Sequence, residues 1–149
     1  MSLKEIIDKE IKNAMLNKNK IRLNALRAIK SSILLHEKSE SGNDSLTKEK
    51  EMQILMKNVK QRNDSKALYI KQGRKDLAKI EEDEIKIISE FLPNQMSDKE
   101  IHIEIEKIIK ENNASDIKDM GKIMGIAAKK FSGQADNSLI ASIVKSKLT

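Results

Sequence analysis

The chain has no cysteine and no tryptophan among its 149 residues, and only one proline, five glycines and two histidines. Without thiols it can build neither a disulfide framework nor a thiolate metal site, and His36 and His102 alone are too few imidazoles for structural zinc. No metal and no cofactor is therefore expected. Phe, Tyr and Trp together contribute three residues, so the core must come from Ile, Leu, Met and Ala, which suits packed helices better than packed sheets. No apolar run approaches the roughly 20 residues that span a bilayer, so no membrane crossing is expected. The first twenty residues interrupt their lysines with Glu5, Asp8 and Glu10. They resemble neither a secretory signal nor an arginine-rich organelle leader, and the expected location is cytoplasmic.

What is present is 38% apolar and 35% charged, with a formal net charge of +6. That composition supports one domain or two small ones, and the charge leans only slightly toward an acidic partner such as RNA. Ser2-Leu3-Lys4-Glu5 has the form of a capping box. It opens a helix whose apolar stripe is Leu3, Ile6, Ile7, Ile11, Ala14 and Met15. The period lapses at Asn17-Lys18-Asn19 and resumes through Ile21, Ala25, Leu26, Ile29 and Ile33. Residues 1–30 hold eight basic residues against three acids, a candidate electrostatic footprint that lysines lying beside a buried stripe explain equally well.

Lys38 to Ser45 reads as a polar loop around Gly42. Thr47 then caps a long helix with Met52, Leu55, Met56, Val59 and Ile70 on its buried side. Gly73 fits the left-handed position that ends such a helix, and Leu77, Ala78, Ile85, Ile88, Phe91 and Leu92 carry a second stripe to Pro93. Between Lys57 and Lys75 seven basic residues face one acid, whereas Asp76 to Glu90 holds six acids against two lysines. The sign change is what ion pairing within an antiparallel helical hairpin produces. Four consecutive acids, Glu81 to Glu84, point around much of a helix and cannot converge on one ion.

After Pro93, Ser97-Asp98-Lys99-Glu100 forms a second capping box. It favours a helix over a strand for the ambiguous Ile101–Ile105 run. A turn at Asn112–Ser115, a helix carrying Ile117, Met120, Met124, Ala127, Ala128 and Phe131, a break at Ser132–Asp136 and a final helix through Leu148 complete the chain. The expected architecture is all-α: a four-helix N-terminal domain with a long hairpin over residues 1–93, and a three-helix domain over 97–149. Gly121 and Gly125 lie four apart on one helical face, where close packing of a neighbouring helix is the expected reason for them. His102 reads as a surface residue.

Three segments together are similar to the GatB/YqeY family. They are Val59-Lys60-Gln61-Arg62-Asn63-Asp64-Ser65 with Gly73-Arg74-Lys75-Asp76-Leu77-Ala78, then Phe91-Leu92-Pro93-Asn94-Gln95-Met96-Ser97, and Lys118-Asp119-Met120-Gly121-Lys122-Ile123-Met124-Gly125. The order and spacing resemble the stand-alone YqeY-like branch. The resemblance implies an all-α fold and a relationship to the tail of the B subunit of the glutamine-dependent tRNA amidotransferase, where the module is expected to touch the body of the tRNA. The family label is carbon–nitrogen ligase with glutamine as amido donor. The residues themselves offer no activated Cys, no Gly-x-Ser-x-Gly elbow and no ATP site, so no catalytic residue is expected. The leading expectation is thus a non-catalytic tRNA-associated module, with an aminoacyl-tRNA-processing enzyme or amidotransferase as a further candidate partner. Lys118, Lys122, Lys129 and Lys130 are the first candidate contacts, and Lys57, Lys60, Arg62, Arg74 and Lys75 the second group. Where the family pattern leads one to expect Gly-Arg-Ala-Asp, this chain has Gly133-Gln134-Ala135-Asp136, and no arginine follows Arg74. The alternative reading is a protein-docking module in which Met52, Met56, Met120 and Met124 are partly exposed.

Overall fold

The computed structural model describes residues 1–39 and 46–149, and among these it contains seven α-helices, one 3-10 turn and no strand. The chain divides into two compact units, residues 1–92 and 93–149. In the first unit, α1 (Leu3–Leu16), α2 (Lys20–Ser39), α3 (Lys48–Lys71) and α4 (Lys75–Ser89) form two antiparallel pairs, with α2 packed against all three others. The Ser2 hydroxyl accepts from the Glu5 backbone N–H while the Glu5 carboxylate accepts from the Ser2 N–H, a complete capping box. Thr47 caps α3 through the Lys50 N–H. The core is Leu3, Ile7, Ala14, Ala25, Leu26, Ile29, Ile33, Leu55 and Ile88, with Phe91 and Leu92 packed on its edge just beyond the end of α4.

Several apolar positions do not follow their helical stripe inward. Met15 and Ile21 are 49% and 40% exposed and Ile70 is 54% exposed. For Ile70 the reason is length. At about 1.5 Å per residue the 24-residue α3 outruns the 20-residue α2 packed beside it, and the far end of the α3–α4 hairpin has only itself to pack on. The helical period also overran the polar stretch after residue 37: Lys38 and Ser39 still belong to α2, and the rest of the expected loop lies outside the described residues.

Three helix ends close alike. Lys18, Gly73 and Asn113 have φ of 54°, 74° and 53°, and each is followed by a residue whose N–H reaches back five positions: Asn19 to Ala14 O, Arg74 to Tyr69 O and Ala114 to Ile109 O. This is the left-handed closure that glycine or asparagine normally supplies. Lysine is the exception, and it costs roughly 1 kcal/mol there.

The second unit consists of α5 (Asp98–Glu111), the 3-10 turn Ile117–Asp119, α6 (Met120–Lys130) and α7 (Asn137–Leu148). Ser97 caps α5 as expected, but Glu100 accepts from the Ser97 hydroxyl at 3.2 Å, and no return bond to the Ser97 backbone is formed. Asp116 caps the 3-10 turn and Asp136 caps α7. Ile101, Ile105, Ile108, Ile123, Ala127, Phe131, Ile140, Ile143 and Val144 are the heart of this unit's own core. The entering segment is fastened to the α6–α7 turn: Met96 N–H donates to Gln134 O at 2.9 Å and Gln95 Nε2 to Gly133 O at 2.6 Å.

Candidate nucleic-acid interface

The first unit holds 20 basic and 15 acidic residues and the second nine and eight. A basic surface on the second unit therefore depends on segregation of charge, not on excess. Segregation is what α6 supplies. Its 11 residues contain no acid, and its buried side chains are Ile123 and Ala127, with Phe131 just beyond its end. Lys122 and Lys129, seven residues apart, fall almost in line on the opposite, exposed side. Lys118, in the preceding 3-10 turn, is exposed as well, and none of the three has an ion-pair partner among the described residues. Lys130 differs: its ammonium lies 3.3 Å from Glu104 Oε2, and that contact, followed by Lys107, holds the Glu104 carboxyl below its ordinary range.

Gly121 and Gly125 correct the packing expectation. Both are exposed, and a methyl group added at either would meet nothing within 4 Å. Among the described residues no neighbouring helix of this unit needs the space. Two solvent-facing glycines weaken α6 by roughly 1 kcal/mol each relative to alanine, and Lys122 in the first turn opposes the helix dipole. Lys129 and Lys130 in its last turn favour the dipole, but no packing contact accounts for the two glycines.

The second candidate group is not a surface of the same kind. Arg62 Nε donates to Glu84 Oε2 at 3.0 Å, and both side chains are only 14% exposed. Its Nη1 donates to the carbonyl and side-chain oxygens of Asn58 at 3.3 and 3.2 Å. Asn58 is itself 4% exposed, and its Nδ2 donates to Ser32 Oγ and Ile54 O. Arg62 thus ties α4, α3 and α2 together and is not available to a ligand. Arg74 is exposed, and its bidentate contact with Asp76 at 3.1–3.2 Å pulls the Asp76 carboxyl down. Lys57, Lys60 and Lys75 are exposed on α3 and α4, with Lys57 on the wall of an open groove of about 750 Å³ between α2 and α3. Ser32 and His36 line the same groove, but the Ser32 hydroxyl already donates to Ala28 O.

The acid run Glu81–Glu84 is an ion-paired face. Glu84 meets Arg62, and Asp83 meets Lys79 at 3.0 Å. Partial burial and then the neighbouring Glu84 push the Glu81 carboxyl up. No cluster of three or more potential metal ligands occurs among the described residues, and His102 is exposed. Met52, Met56, Met120 and Met124 are all half-buried. Sequence reasoning grouped Lys130 with Lys118, Lys122 and Lys129 and missed its ion pair, because Glu104 stands 26 residues away in sequence.

A family model described as Yqey-like protein matches residues 4–148. The curated relatives it resembles include "Altered inheritance of mitochondria protein 41, mitochondrial" from Lachancea thermotolerans. That protein is 31% identical over 146 residues, spanning 93% of this chain and 78% of the relative. The protein of the same name from Clavispora lusitaniae is 33% identical over 109 residues, spanning 72% and 62% respectively. Both relatives are mitochondrial by name. Among the described residues of this chain, no helix is long and apolar enough to cross a membrane.

Proposed function

Since the chain belongs to the YqeY-like family, we propose that it is a non-catalytic RNA-binding accessory module, with tRNA as the RNA and the cytoplasm as its compartment. One observation carries this reading: the acid-free outer face of α6, where Lys122 stands between two exposed glycines that no internal packing explains and Lys129 follows two turns on. A bare backbone lets a phosphate chain approach closely, and unpaired lysines reward it. Local sequence rules broken without internal return are expected where a function uses them. Lysine recognises phosphate as a point charge, so the module reads the shape of the RNA and not its base sequence.

The test is tRNA binding as a function of salt. Lys122→Ala with Lys129→Ala should weaken binding and reduce the slope of log affinity against log salt by roughly 0.7–0.9 for each phosphate that is no longer neutralised. Glu82→Ala should not reduce binding. Absence of salt-dependent binding by the wild-type chain at low ionic strength would refute the reading. That result would promote a second reading, docking on a partner protein such as an amidotransferase. Release of ammonia from glutamine by the purified chain, abolished by a single substitution, would refute the non-catalytic part.

A further inference from the structure

At one end of the first unit, where α1 turns into α2, seven consecutive residues from Met15 to Ile21 are all exposed. Three are large and apolar: Met15 is 49%, Leu16 80% and Ile21 40% exposed. Isolated exposed leucines are ordinary, but three apolar side chains gathered on one tight turn are not. The turn is also strongly cationic. No acid occurs in the 26 residues between Glu10 and Glu37, which hold six basic residues. Arg22 and Lys30 are engaged by Glu10, Glu90 and Asp8. Lys12, Lys18 and Lys20, together with Arg27 further along α2, are exposed and have no ion-pair partner among the described residues. Lys12 stands one helical turn before Leu16, on the same face.

Lys18 adds an independent point. It occupies the left-handed closing position, φ 54°, that Gly73 and Asn113 fill at the two corresponding turns. Asn17 and Asn19 flank it, and Asn19 itself caps α2 through the Arg22 N–H at 3.2 Å. A residue better suited to the backbone was available one step away, yet a lysine is held at the apex of the turn.

We propose that the α1–α2 turn docks on an anionic lipid surface, with Leu16, Met15 and Ile21 entering the headgroup boundary and Lys12, Lys18 and Lys20 contacting acidic headgroups. The apolar tips decide between lipid and RNA as the acidic partner. A phosphate backbone in water gives no return for an exposed leucine, whereas an interface rewards both the apolar side chain and the adjacent cation.

The test is co-sedimentation of the full chain with vesicles of phosphatidylcholine alone and of equal parts phosphatidylcholine and phosphatidylglycerol, at low salt. The chain should pellet only with the anionic vesicles. Leu16→Ser should weaken partitioning about tenfold and Lys18→Gly about fivefold. Because glycine suits the backbone at this position, Lys18→Gly should also raise the thermal midpoint, so weaker binding cannot be attributed to unfolding. Lys122→Ala should leave vesicle binding unchanged. Failure of the wild-type chain to pellet with anionic vesicles would overturn the proposal, as would full binding by Leu16→Ser. So would a result in which Leu16→Ser and Lys18→Gly lose tRNA binding while keeping vesicle binding, which would make the turn an RNA surface.

Discussion

Replacing Arg62 by alanine separates a structural arginine from a ligand-binding one. In the native unit its guanidinium bridges Glu84 at 3.0 Å and the two oxygens of Asn58 at 3.2–3.3 Å. The substitution leaves a carboxylate at 14% exposure and an amide oxygen at a residue 4% exposed without their donor. Removing one partner of a fully buried pair costs about 3–5 kcal/mol, and an exposed pair is worth about 0–1 kcal/mol. For this half-sheltered geometry the expected destabilisation lies between them, about 2–3 kcal/mol. In a 92-residue unit that corresponds to a fall in thermal midpoint of roughly 10–20 °C. Tyr69 is the only tyrosine and there is no tryptophan, so its fluorescence during urea unfolding reports α3 and hence this unit. Replacing the pair together, Arg62→Met with Glu84→Leu, should recover most of the stability, because no charge is then stranded. A change below about 0.5 kcal/mol for Arg62→Ala would refute the reasoning. It would show that water takes over both the carboxylate and the amide.

Gly121→Ala and Gly125→Ala should each stabilise the second unit by roughly 0.5–1 kcal/mol, read by far-UV circular dichroism, while weakening tRNA binding. Stabilisation with binding unchanged would remove the glycines from the RNA reading. Lys130→Ala should raise the Glu104 carboxyl toward its ordinary range, observed by NMR titration, because Lys130 is the largest influence lowering it. Since the Glu104 carboxyl is depressed in the folded state, its contribution is present above the unfolded value and is lost as pH falls through the folded one, and the variant, which keeps only Lys107, should show a smaller acid-side decline. Glu81 has the opposite sign. Its carboxyl is raised by burial, so its contribution is full below the unfolded value and declines as pH rises through the folded one. Glu81→Gln should flatten that decline and change neutral stability by no more than about 0.5 kcal/mol.

The helices, their starts and their turns were legible because their causes are local. The Ser2 box, the Thr47 cap, the left-handed Gly73 and the choice of helix over strand for Ile101–Ile105 each depend on residues within one or two turns. Burial was less legible where it depends on what lies opposite. Ile70 and Ile21 keep the right period and remain exposed, since a stripe says which face is apolar and not whether another element is long enough to cover it.

Charge was the least legible property, for the same physical reason. Composition counts lysines and arginines, but a cation serves a ligand only if no acid of the same fold engages it first. In the first unit the acids that do so stand 22 residues away for Arg62 and 68 for the Arg22 contact with Glu90, far beyond any window in which sequence pattern operates. The family-like segment around Arg62 therefore marks an internal brace, whereas the flanking lysines stay exposed. On α6 the reverse holds. Among the described residues Lys122 and Lys129, two turns apart, stay unpaired because the helix has no acid and, of its lysines, Glu104 meets only Lys130. The two glycines beside them contribute nothing to packing. Surface that a fold leaves both uncompensated and locally unfavourable is the surface a partner can stabilise, and on this chain it occurs on α6 and at the Lys18 turn.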